Sequence, residues 1–245
     1  MQARWLRSFA ALGLSTALVV AVCGMFVTVP AKAAEVEWKM HAVWVPTRPE
    51  IGFLKEWVRL VNERASGKLK ITLYPGGSLG IKDVDMLRIL PAAKAIQAAL
   101  LYPGYMSRDV PEYVYTLPPG AVKEPEKLVE ILPTLSKIYG STYKKWGIEL
   151  LGYIQHPVRG TSIFCKTAVN TLDELKKKKV RVWEKSHVVA FGKIGVAAQV
   201  IPQNDLYVAM QTGVVDCAVY PIGFAVTVSL QEVAPYSAYL FPYVL

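Results

Sequence analysis

TLDELKKKKVRVWEKSHVVAFGKIGVAAQVIPQNDLYVAMQTGVVDCAVY, residues 171–220, decides the architecture. Thr171 is followed three residues later by Glu174, the spacing of a capping box that opens a helix. Lys176 to Lys179 close it, where the helix dipole favours cations, so the lysine run reads as a solvated helix end. VRVW (180–183) is a strand, and Ser186 caps a helix that runs through Ile194 and stops at Gly195. VAAQVI (196–201) is the next strand. Asn204 then caps DLYVAMQ, Gly213 stops it, and VVDCAVY (214–220) is a further strand. Strands separated by single helices predict an α/β fold with parallel, doubly wound sheets.

Upstream the rhythm is the same but less clean. VEWKMHAVWV (36–45) predicts a buried strand, and Glu50 to Gly67 a helix with Ile51, Leu54, Trp57, Val58 and Val61 on one face. LKITLYP (69–75) alternates as a strand. Ile81 to about Leu90 reads as a second helix broken at Pro91, and AIQAALLYPGY as a small-residue stretch leading into loops. Pro125 to Trp146 is helical with a kink or break at Pro133, and IELLGYI (148–154) is the next strand. The sequence shows no internal repeat and no low-complexity segment.

The first 33 residues are of another kind. Arg4 and Arg7 precede an apolar run from Phe9 to Val29, and Ala31-Lys32-Ala33 fits a small-x-small cleavage site. Residues 1–33 are therefore predicted to be a signal peptide cleaved after Ala33, with an uncleaved anchor as the alternative. Val22 before Cys23 argues against a lipoprotein. The leader holds three of the 28 Lys and Arg residues and none of the 19 Asp and Glu, which leaves +6 on the remainder. That balance suits an anionic small ligand or an acidic surface, and it lacks the arginine clusters of a nucleic-acid binder. Cys165 and Cys217 can pair after export or stand as two separate structural cysteines.

Arg181 stands between two valines in a strand that reads as buried. Arginine is almost never left buried alone. It forms an internal salt bridge, reaches solvent at the strand end, or offers its planar fork to a ligand carboxylate. The signals for an enzyme are poor. His41, His156 and His187 are scattered, no His-x-x-x-His or Cys-x-x-Cys spacing suggests a metal, and Cys165 lacks an oxyanion loop. No catalytic activity, metal or cofactor is expected.

Residues 170–221 closely resemble the core of the solute-binding proteins of tripartite ATP-independent periplasmic (TRAP) transporters, the DctP type. The resemblance rests on the Asn170-to-Leu175 helix, Lys179-x-Arg181 on its strand, Gly195 to Pro202, and DLYVAMQTGVVD. Upstream, SGKLKITLYPGGSLG (66–80) is similar to the family's early strand and loop, and the likeness covers nearly all of 36–245. It implies two lobes, 34–157 and 158–245, that close on an organic acid in the periplasm and deliver it to a membrane permease. It further implies that Arg181 pairs with the ligand carboxylate and that Arg159 assists. A receptor for a signalling system, or for another importer class, remains open as the alternative use.

The chain also departs from the family pattern. Cys217 stands where glycine is usual after the Asp of VVD, Tyr220 replaces a polar residue, and Trp183 replaces a smaller one. The Gly and Asp common after the second helix are missing from PAAKAIQAA. The sequence stops well before family members generally do, so the second lobe is expected to be incomplete and YSAYLFPYVL (236–245) to be sticky. Trp44, Tyr102, Tyr105, Trp183 and Tyr220 fall at positions resembling pocket-lining ones. As a set they point to a carboxylate with an apolar or aromatic body.

Overall fold

The computed structural model describes residues 36–118, 120–154 and 160–241. The predicted signal-peptide segment 1–33, Arg159 and the expected 157/158 lobe boundary lie outside the described residues. Elements follow in chain order as β1 (Val36–Ala42), α1 (Pro49–Arg64), β2 (Leu69–Pro75), α2 (Met86–Ile89), β3 (Ala98–Leu100), α3 (Tyr113–Thr116) and α4 (Pro125–Lys145). Then come β4 (Thr161–Cys165), α5 (Leu172–Leu175), β5 (Lys179–Val182), α6 (Lys185–Lys193), β6 (Ala197–Val200), α7 (Gln203–Gln211), β7 (Cys217–Pro221), α8 (Leu230–Val233) and β8 (Tyr236–Phe241).

The first sheet is parallel, in the order β2-β1-β3. Pro49 starts α1 with its φ already set for a helix, and Gly67 (φ 84°) follows its end. Ile51, Leu54 and Val58 lie at helical spacing and pack on Met40, Ala42 and Ile71 of the sheet. A second core joins Leu128, Leu135, Tyr139 and Tyr143 of α4 to Met86, Leu87 and Met106.

The second sheet is mixed, in the order β6-β5-β7-β4-β8. β6, β5 and β7 are parallel, whereas β4 runs antiparallel to both β7 and β8. Val180 and Val182 face the α6 side with Phe191, and Ala218 and Tyr220 of β7 face the α7 side with Leu206 and Met210. The two-residue side-chain period of a strand turns Arg181 away from its flanking valines. Asp216 fixes the start of β5, its carboxylate accepting from the Lys179 amide at 2.9 Å. Cys165 and Cys217 are directly opposed on β4 and β7 and form a disulfide, which settles the open question about these two thiols.

Several expectations need correction. IELLGYI is no strand, because the Ile148 amide is taken by the Tyr143 carbonyl at the end of α4. Leu150 and Ile154 then fill two different cores, and no described strand pairs with the segment. The second helix is shorter than expected: turns of 3-10 helix flank α2, and Pro91 lies inside the latter one. α4 runs unbroken through Pro133. Glu184, not Ser186, is the N-cap of α6. Pro202 precedes α7, and Asn204 donates instead to the Val43 carbonyl at 3.3 Å. The second sheet is not purely parallel, since β4 runs opposite to both its neighbours, β7 and β8, an arrangement that the sequence reading did not separate.

Candidate ligand-binding site

The carboxyl ends of β1, β3, β5 and β7 converge on one cavity of about 730 Å³. In open α/β sheets ligands bind outside those ends. Trp44 follows β1, Tyr102 and Tyr105 follow β3, Arg181 and Trp183 come from β5 and its exit, and Tyr220 lies on β7. All six line the cavity. Five of the sequence-predicted site residues are thus brought together with Tyr105, and the sixth, Arg159, is outside the described residues. Beyond β3 the cavity continues along apolar side chains such as Phe53, Trp57 and Leu132.

Arg181 is fully buried. Its Nε donates to the Ile201 carbonyl at 2.8 Å and its Nη1 to the Val219 carbonyl at 3.1 Å. The guanidinium carbon lies 5.5 Å from the Tyr220 ring centre. Nη2 has no hydrogen-bond partner, and no described carboxylate forms an ion pair with the side chain. The salt-bridge and solvent readings of this arginine therefore fail among the described residues. Burial pulls its pKa down, and the surrounding Tyr105, Tyr220 and Tyr102 oppose that pull, with Tyr105 near enough to act also as a weak acceptor although its oxygen does not meet Nη2 at hydrogen-bond geometry.

The aromatic residues are held by polar contacts. Tyr102 donates to Glu184 Oε2 at 2.6 Å and accepts from Trp183 Nε1 at 3.1 Å. Its ring meets Tyr105 edge-on at 5.2 Å. Burial pushes the Tyr105 phenol up to about 12, against the pull of Arg181, and its oxygen accepts from the Gln203 backbone N–H at 3.0 Å. Burial would raise the Glu184 carboxyl, but hydrogen bonds from His187, Ser186 and Tyr102 hold it below the usual range. Glu184 therefore stays charged at the rim of the site.

Three functional candidates were missed in the sequence: Arg48, Glu184 and Gln203. Arg48 is buried, pairs through two nitrogens with Glu50, and donates Nη1 to Gln203 Oε1 at 3.1 Å. It also stacks on Phe224 at 3.7 Å. Those contacts carry a loop of the first sheet into the second. Buried arginine was the signal used at Arg181, but PTRPE reads as an exposed turn, so Arg48 gave none. Among the described residues no group of His, Cys, Asp and Glu is arranged to hold a metal ion.

The family model of bacterial extracellular solute-binding protein, family 7 (DctP), matches residues 40–240. A solute-binding protein of Albidiferax ferrireducens is 27% identical over 184 residues, covering 71% of this chain and 51% of that protein. The chain thus spans about half the length of that relative. A TRAP periplasmic solute-binding protein from Sulfitobacter sp. NAS-14.1, with bound β-D-galacturonate, superposes with a TM-score of 0.72 at 22% identity. It covers 85% of this chain and 69% of that one. A counterpart from Desulfovibrio salexigens with bound orotic acid gives 0.72 at 21% identity, over 85% and 68% of the two chains. The shared fold is the two-lobed architecture of these receptors. With more than half of its length matched by the family model, the chain belongs to family 7 of the bacterial extracellular solute-binding proteins.

Proposed function

We propose that the protein captures an organic carboxylate between two lobes, with Arg181 as the anchor, and delivers it from the periplasm to the permease of a TRAP transporter. The observation that carries this reading is the buried Arg181 guanidinium, which has an unused Nη2 and no described counter-ion. A charge taken out of water without a partner is costly, and a bidentate carboxylate offsets that cost. The lobes are 34–157 and 158–245, and residues 1–33 are the cleaved leader. Arg159 is a secondary contact. Trp44, Tyr102, Trp183 and Tyr220 form walls for an apolar or aromatic body, and they exclude water from the ion pair. Related receptors carry galacturonate, orotic acid and succinate, so the acid's identity is set by side chains that differ among them. The family is one of binding proteins, and no catalysis is proposed.

The test is a thermal-shift screen of organic acids on the purified protein, with mass spectrometry of any co-purified ligand. Stabilisation by monocarboxylates with flat or apolar bodies is expected. If only neutral sugars or cations shift the melting temperature, the carboxylate reading is wrong. If only small dicarboxylates or sugar acids do so, the reading of the aromatic walls is wrong.

A further inference from the structure

β5, β6 and β7 are parallel and β4 runs against β7, so the starts of three strands and the end of β4 share one pole of the second sheet. The cavity lies at the other pole, where β5 and β7 end. Three connections bring lysine to the starting pole: Lys166 after β4, Lys176 to Lys179 at the entry to β5, and Lys193 at the end of α6. The turn into β7 folds against them. Lys179 Nζ donates to the Gly213 carbonyl at 2.7 Å, and a Cβ on Gly213 would lie 3.8 Å from Lys166 Nζ. Lys178 donates to the Thr167 hydroxyl at 3.1 Å, and a Cβ on Gly195 would lie 3.6 Å from Lys176 Cε. The lysine run by itself reads as solvated, but the fold adds Lys166 and Lys193 to it. Acids offset only part of this charge: Asp173 pairs with Lys176 at 3.0 Å, and Glu174 and Asp216 accept from backbone amides. Ile194 and Val214 are exposed on the turns into β6 and β7.

We propose that this pole is a docking surface for an anionic lipid bilayer, independently of what the cavity holds. Protein interfaces are enriched in arginine, whose fork matches carboxylates, and depleted in lysine. Between residues 160 and 241 the one arginine is Arg181, which is fully buried, so the pole offers lysine alone. A layer of phosphate headgroups makes no demand on donor geometry and attracts such point charges. Ile194 and Val214, exposed beside the lysines, then enter the boundary between headgroups and acyl chains. A few charges and two apolar side chains give a weak, reversible contact. With this pole on the bilayer, the ends of β5 and β7 and the cavity face away from it, open to solute.

The test is co-sedimentation of the protein recovered after export, without its predicted leader, with two kinds of vesicle. One is phosphatidylcholine, and the other holds equal parts of phosphatidylcholine and phosphatidylglycerol. Binding is expected on the anionic vesicles alone, and it should vanish at about 1 M salt, where charges are screened beyond about 3 Å. Lys177→Glu with Lys193→Glu should weaken it about ten- to a hundredfold. Lys144→Glu with Lys145→Glu makes the same charge change on exposed positions of α4 and should weaken it by less than about threefold. A melting temperature equal to wild type checks that both variants are folded. No binding to anionic vesicles, equal binding to both kinds, or equal loss in the two variants overturns the proposal. Binding to poly-L-glutamate but to neither vesicle overturns it in favour of an acidic protein partner.

Discussion

Arg181 and Lys177 lie four positions apart and share a positive charge, but they differ in burial and in the geometry of their donors. Lys177 is exposed in the turn that follows α5, not in its last turn as the sequence suggested, whereas Arg181 is fully buried with one nitrogen unused. Truncating one member of a buried charge pair costs about 2–5 kcal/mol. Arg181→Ala should therefore abolish measurable binding in calorimetry, and Arg181→Lys should weaken it strongly because the fork geometry is lost. Arg159→Ala should weaken binding less, and Lys177→Ala should leave it unchanged. A folded Arg181→Ala protein with wild-type affinity would remove the anchor role, and the reverse order of loss would swap the two arginines. The burial of this residue was legible in the sequence, because an arginine between strand valines violates an ordinary pattern, whereas its anchor role came only from the resemblance. Gln203 was not legible, since glutamine after a proline looks like any helix start. Only the positions of Arg48 and Tyr220 show that its oxygen is occupied while its nitrogen is not.

At the scale of elements, local chemistry was readable wherever it was satisfied locally. Thr171 accepts from the Glu174 amide at 3.2 Å, and the Glu174 carboxylate accepts from the Asn170 amide at 2.7 Å. Those bonds hold a helix of only four residues, which has little else to define it. Thr171→Ala should destabilise the protein by about 1 kcal/mol, seen as a lower urea midpoint with unchanged slope. No change in midpoint would mean that β5 and its neighbours define this turn without the cap. Elements that depend on distant partners were read less well. β3 is three residues including two alanines, which have low strand propensity, and it exists because β1 supplies a ladder. Conversely, IELLGYI has a strand's composition, yet its first amide caps α4 and its side chains serve two cores.

The whole molecule depends on close approach between its two sheets. Val43 and Tyr105 belong to loops of the first sheet but pack in a core of the second, and Thr47 donates to the Thr227 carbonyl at 2.9 Å. Gly104 sits at the tightest of these approaches. A Cβ placed there would lie 3.0 Å from both Cβ and Oε2 of Glu184, and 2.5 Å from the Tyr102 ring. Overpacking of this kind costs about 1–3 kcal/mol, and here the strain falls on contacts between the sheets. Gly104→Ala should weaken ligand binding by about five- to a hundredfold while each sheet stays folded. Equal affinity in the variant would show that Tyr102 and Glu184 yield without moving the sheets apart. Such a contact has no sequence signature, because it joins positions 80 residues apart that only the folded chain brings together.

The disulfide has a consequence for where the site can be built. Cys165 and Cys217 are 52 positions apart, and the span between them carries Arg181, Trp183, Glu184 and Gln203, so one covalent ring encloses the second sheet's contribution except Tyr220 and Pro221. Thiols remain unpaired in the reducing cytosol and join in oxidising compartments. On the proposed periplasmic location, the ring closes only after export. A newly made chain in the cytosol would then hold an unclosed frame around its anion trap, and the same acid circulating in metabolism would meet a receptor not yet locked into shape. The cross-link would act as a date stamp, separating the nascent chain from the working one.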